Sequence, residues 1–141
     1  MDPLIFGVVT SYYRACWTDF SASRLSELFS NGIMWTGEDL YNTVVGRETV
    51  VKLYVDKFFS QVDIAKTRIS NFSMKFNEAP NDLWTVNLAQ KKDDPPPSVT
   101  ITYRISQVRR DSLEPSSLHL EETLFIDREG LITLIHRKNA A

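Results

Sequence analysis

The chain has little of the chemistry that thiol and metal sites require: 141 residues hold one cysteine, Cys16, and two histidines, His119 and His136. A lone cysteine excludes an internal disulfide and favours a reducing compartment, and so few Cys and His residues all but exclude a zinc centre built from them. Charge of one sign is lacking too. Lys and Arg number 16 against 18 Asp and Glu, a net charge of -2 that gives no electrostatic footprint for nucleic acid or for an anionic membrane surface. The basic pairs Lys91-Lys92 and Arg109-Arg110 read as solvated strand or loop ends. No apolar run approaches the roughly 20 residues needed to cross a bilayer. The apolar patch Leu4 to Val9 follows acidic Asp2 where a secretory leader would be basic. The expectation is a soluble, cytoplasmic protein with neither nucleic acid nor membrane as partner. Walker, dinucleotide, HExxH, GxSxG and calcium-loop motifs are all missing, so no cofactor is implied.

What the chain does have is apolar and aromatic material, 43% and 11% of its residues, enough for one well-buried core and short for two. A single domain spanning residues 1–141 is expected. From Leu4 to Asp19, Ile5, Val9, Tyr12, Tyr13, Cys16, Trp17 and Phe20 recur at three- and four-residue steps, the period of a helix that buries a broad face. Ser21 and Ser23 offer N-cap hydroxyls to a short second helix carrying Leu25, Leu28 and Phe29, with Asn31-Gly32 as its stop. Ile33 to Thr36 is β-prone, Gly37 to Gly46 reads as an irregular connection, and Gly46 opens a third helix with Val50, Val51, Tyr54, Val55, Phe58 and Phe59 on its apolar face. After Ser60 the period falls to two, the mark of half-buried antiparallel strands. Phe72 to Phe76, Trp84 to Leu88, Val99 to Ile105, Leu118 to Ile126 and Leu131 to Lys138 are the candidates. Asn77 to Asp82 and Asp93 to Ser98 read as hairpin loops, and Asp127 to Gly130 as a turn. Helices followed by a strand meander define an α+β layout, because the apolar face of such a sheet must be covered and the amphipathic helices are the available cover.

Among residues that can carry chemistry, Glu122 is the most informative: strict alternation puts it on the face of Leu118, Leu120, Leu124 and Ile126. An ionised carboxylate costs several kcal/mol or more to bury alone, so it must be paired, hydrogen-bonded or held protonated. Buried without a cation, its pKa would rise above that of the unfolded chain and stability would fall as pH climbed through the unfolded value. The competing readings are a bulge that turns Glu122 outward, or a structural pair with Arg104 or Arg47. Tyr12, Tyr13, Trp17 and Trp35 form an aromatic set with polar tips, mostly core, of which some would face a ligand together with Tyr54, Phe58 and Leu120. Glu38 and Asp39 are adjacent carboxylates with a solvated loop pair as the plain alternative. Neither histidine has an evident partner, and Cys16 on an amphipathic helix reads as a small buried hydrophobe.

The segment Leu28-Phe29-Ser30-Asn31-Gly32-Ile33-Met34-Trp35, the following Val45-Gly46-Arg47-Glu48-Thr49-Val50, and the closing Glu122 to Ile132 resemble the nuclear transport factor 2-like superfamily over about the whole chain. The resemblance implies a cone-shaped α+β barrel, helices packed in the concave face of a curved antiparallel sheet, with an internal pocket and a homodimer through the outer sheet face. It spans steroid isomerases, polyketide cyclases, dehydratases and non-catalytic binding modules, so the fold alone does not choose an activity. Set beside the ketosteroid isomerase branch, Tyr13 falls at the oxyanion-hole tyrosine and Glu122 at the protonated oxyanion-hole acid, a pair able to stabilise an enolate. The position of that branch's general base is Gly37, leaving Glu38 or Asp39 as substitutes, one or two residues along. Two functions follow as expectations: a pocket that binds an apolar small molecule or a protein partner, and an isomerase, cyclase or dehydratase acting by proton abstraction next to a carbonyl.

Overall fold

The computed structural model describes residues 3–38, 43–77 and 98–139. The helical period at the start of the chain becomes α1 (Pro3–Trp17), which buries Ile5, Val9, Tyr12, Cys16 and Trp17 along one face. Its end is closed by Thr18 and Asp19 amides on the Arg14 carbonyl, at 3.0 and 2.8 Å, and by Phe20 in the left-handed region at φ 47°. Ser21 then caps α2 (Ala22–Leu28), its hydroxyl accepting from the Arg24 amide at 3.2 Å.

Asn31-Gly32 is not the helix stop. The chain turns extended at Phe29, and β1 runs from Phe29 to Thr36 straight through that pair. Phe29 is fully buried, so packing of its ring ends the helix early, and Asn31-Gly32 is taken up by an irregularity in strand pairing between Phe29 and Met34. After the short β2 (Val44–Val45), Gly46 precedes α3 (Arg47–Leu53) at φ 103°, which continues as a π-helical turn, Tyr54–Phe59. That wider turn accompanies the burial of two large aromatics, Tyr54 and Phe59, in one helical stretch.

The remaining strands are β3 (Arg68–Asn77), β4 (Ser98–Val108), β5 (Pro115–Ile126) and β6 (Ile132–Asn139). They join β1 and β2 in a six-stranded sheet of order β2-β1-β6-β5-β4-β3. Every neighbouring pair is antiparallel except β1 and β6, which run parallel, so the first long strand lies beside the last. The expected strand at Trp84 to Leu88 falls outside the described residues, as do the expected loops on either side of it save Asn77 and Ser98, which are the last residue of β3 and the first of β4. The two-residue rhythm points Val99, Ile101, Tyr103 and Ile105 of β4, with Leu120, Glu122 and Leu124 of β5, toward the helices. This inner face and the buried face of α1 form one core.

The β5–β6 turn is fixed by Asp127, whose Oδ1 accepts from the Glu129 and Leu131 amides, both at 2.9 Å. Gly130 sits there at φ 85°, and a Cβ on it would lie 3.2 Å from Leu4 Cδ1. Gly130→Ala is therefore expected to lower stability by about 1–2 kcal/mol, the cost of a side chain in the left-handed region. A urea midpoint shift of the matching size would register it.

Candidate functional site

Glu122 faces inward with no exposed surface, as alternation along β5 requires. Its neighbour across the ladder on β6 is Arg137, also buried. Arg137 Nε and Nη2 donate to Glu122 Oε2 at 3.2 and 3.1 Å, a buried ion pair. Neither Arg104 nor Arg47 fills that role, and the premise of a cation-free carboxylate does not hold. The reason lies in the hairpin. Pairing shifts by one residue between Phe125 and Ile126, and without that bulge His136 would stand opposite Glu122.

Two chains of hydroxyls complete the cluster. Tyr12 Oη donates to Glu122 Oε2 at 2.6 Å; since its proton is committed there, the 2.6 Å contact between Tyr12 and Tyr54 hydroxyls has Tyr54 as donor. On the other side Trp17 Nε1 donates to Tyr103 Oη at 3.0 Å, and Tyr103 donates to Glu122 Oε1. Arg137 is further covered by aromatic faces, its guanidinium carbon 4.4 Å from the Phe58 ring centre, 5.4 Å from Tyr54 and 5.8 Å from Trp17. Tyr12, Tyr103 and Arg137 thus all point their positive ends at Glu122.

Electrostatics follow from this burial. Desolvation pushes the Tyr12, Tyr54 and Tyr103 hydroxyls well above the ordinary tyrosine value, with the Glu122 charge adding to it and Arg137 opposing it. For Arg137 burial works against the charge but is outweighed, chiefly by Glu122, and its pKa lies above the usual arginine value. Burial also raises the Cys16 thiol, which removes it as a nucleophile.

Of the residues singled out from the sequence, Tyr13 does not reach Glu122. It is one position off the inward face of α1, and its ring packs on Phe72 at 4.6 Å and on Tyr103 at 5.9 Å. Tyr12 holds the place expected for it. Glu38 is exposed and accepts from the Asn139 backbone amide at 2.7 Å, tying the end of β6 to the loop after β1. Asp39 lies outside the described residues. Trp35 is buried against Phe58, ring centres 6.2 Å apart, and among the described residues its Nε1 has no hydrogen-bond partner. His136 does have a partner: its Nδ1 lies 2.6 Å from Thr36 Oγ1. Tyr54 is fully buried in the cluster, whereas Trp17, Phe58 and Leu120 line a cleft of about 270 Å³ beside Arg137. Tyr103, read as an inward strand position, and Arg137 were not singled out as site residues, although both lie on strands with clear alternation.

The sequence matches no family model and no curated protein. Solved structures share the fold. A nuclear transport factor 2-like protein from Anabaena variabilis superposes with a TM-score of 0.66 at 9% identity, covering 98% of this chain and 87% of that one. The Δ5-3-ketosteroid isomerase from a Mycobacterium species gives 0.63 at 13% identity, over 95% and 91% of the two chains. A Mycobacterium tuberculosis protein in complex with estradiol-17β-hemisuccinate gives 0.63 at 11% identity, over 95% and 92%. The fold of this chain is that of the nuclear transport factor 2-like superfamily. Among the described residues no His, Cys, Asp and Glu cluster is arranged to hold a metal ion, and no helix is long and apolar enough to cross a membrane.

Removing one member of a buried ion pair strands the other charge. Glu122→Gln is expected to lower stability by about 3–5 kcal/mol, and Glu122→Gln with Arg137→Met by less than the sum of the two single changes; urea denaturation of the three variants gives the coupling. The tyrosines supply a pH test. Their folded pKa values lie above the unfolded value of about 10, so their contribution is intact below that pH and is lost as pH rises toward the folded values. Tyr12, Tyr54 and Tyr103 are expected to ionise only as the fold opens, in one cooperative step of phenolate absorbance coincident with loss of circular dichroism.

Proposed function

We propose that the chain is a non-catalytic binding protein for a small, largely apolar molecule, seated in the cleft between the end of α1, the π-helical turn and the inner face of β4 to β6. One observation carries this reading: the hydroxyl protons of Tyr12 and Tyr103 are both committed to Glu122, which accepts at both oxygens and is itself paired with Arg137. An oxyanion hole needs donors aimed at the substrate and left free to meet developing charge. Here the donors are already satisfied. A proton-abstracting enzyme also needs a base within reach of the substrate, and among the described residues no Asp, Glu or His lines the cleft. Trp17, Phe58, Leu118 and Leu120 supply its apolar lining, the usual wall of a small-molecule site. The protein with the estradiol hemisuccinate complex has the same fold, which is consistent with a ligand-holding role and carries no residue assignment. Because Leu120 and Arg137 belong to the concave side, a homodimer through the opposite face, which bears Thr102, Arg104 and His119, is compatible with this reading.

The test pairs binding with turnover. Calorimetric titration with the neutral aromatic probe indole-3-acetamide is expected to show saturable binding that Leu120→Trp, by filling the cleft, removes without loss of the folded state. A Δ5-3-ketosteroid is expected to isomerise no faster than in buffer. Isomerisation that depends on Tyr12 or Glu122 would overturn the non-catalytic reading, and undiminished binding by Leu120→Trp would place the ligand elsewhere.

A further inference from the structure

The charge around the cleft is one-sided in a chain that is not. The protein as a whole carries a net charge of -2, yet the described residues that line the cleft include Lys57, Arg109 and Arg137 and no carboxylate. Glu122 offsets the Arg137 charge at 3.1 Å, but it has no exposed surface and both its oxygens are turned to donors within the protein, so it offers the cleft no acceptor. Arg109 is exposed and held by Asp111 at 3.2 Å, so it can only form part of the rim. Arg137 is different. It is 8% exposed, and its Nε and Nη2 are spent on Glu122. Among the described residues Nη1 has no hydrogen-bond partner, and Arg137 is one of the residues that line the cleft. A guanidinium fixed on one edge by a carboxylate and on its face by the Phe58 ring at 4.4 Å cannot swing out to find water partners elsewhere. It is a preorganised donor set at the inner end of an apolar cleft.

We propose that the ligand of this cleft is a small aromatic or alicyclic acid, its carboxylate meeting Arg137 Nη1 and its apolar body lying against Trp17, Phe58 and Leu120. The assignment rests on the binding reading above and adds the charge of the ligand. Charge-assisted hydrogen bonds from arginine to a carboxylate are shorter and stronger than neutral ones, and are strengthened where water is excluded. Lys57 and Arg109 at the rim raise the local concentration of such an anion and guide its entry. A cleft of about 270 Å³ is below the range usual for drug-sized ligands, which suits a body of one or two rings. A neutral molecule of the same shape would leave the Arg137 edge without its anion. A cation would find no carboxylate among the described residues that line the cleft.

Calorimetry of the intact chain with indole-3-acetate against its near-isosteric amide, indole-3-acetamide, tests this. The acid is expected to bind about tenfold tighter or more, as one charge-assisted hydrogen bond allows. The preference is expected to shrink with added salt and in the Lys57→Gln, Arg109→Gln double variant, whose changes lie at the rim and leave the core cluster intact. Arg137→Lys, which keeps the charge and loses the planar fork, is expected to lower acid affinity by more than amide affinity; if it does not fold, the rim variant still decides. Equal binding of acid and amide, or tighter binding of the amide, overturns the acid assignment while leaving the cleft as a binding site. A preference unchanged by salt and in the rim variant, or unchanged in a folded Arg137→Lys protein, overturns the role given to the cations. Binding of neither probe removes the cleft reading and this one with it.

Discussion

The ion pair between Glu122 and Arg137 is the constraint on which the rest of the interior depends. Two charges buried between sheet and helices each cost several kcal/mol to desolvate, and their attraction offsets that only where geometry is good and the remaining valences are filled. Here the valences are filled from three directions: α1 sends Tyr12, the π-helical turn sends Tyr54, and β4 sends Tyr103, itself steadied by Trp17. The pair therefore dictates side-chain identity on three elements besides its own two strands, where a purely aliphatic centre would ask only for volume.

This arrangement sets the polarity of the buried centre. A neutral acid and a tyrosine at such a centre present hydrogens to a substrate; here an arginine on the adjacent strand turns the acid into an acceptor and draws the tyrosine hydrogens inward. One side chain accounts for the change. The Arg137 guanidinium is left as the charged member of the cluster that lines the cleft.

Much of the architecture was legible because apolar spacing is a direct record of burial. The period near 3.6 before Ser60 and near 2 after it located the helices and four of the strands now described, and the lone acid in the Leu118 to Ile126 alternation announced a polar centre. What was not legible depends on registers that spacing does not encode. A one-position rotation on α1 exchanges Tyr12 for Tyr13, and both occur in a helix whose apolar face is broad enough to admit either. The bulge at the β5–β6 turn changes which of His136 and Arg137 opposes Glu122, and nothing in Asp127 to Gly130 signals a bulge. The end of α2 was misplaced for a similar reason: Asn31-Gly32 is a good stop by local chemistry, but burial of Phe29 outweighs it.

The parallel seam between the earliest long strand and the final one has a consequence for biosynthesis. As the polypeptide leaves the ribosome, β1 emerges with α1, α2 and their aromatic side chains already in solution, while the strand that must lie alongside it is still untranslated. Tyr12 waits 110 positions for its acceptor. Contacts this distant in sequence slow folding and prolong exposure of greasy surface, so the inner face of the first half stays uncovered until β5 and β6 have been made.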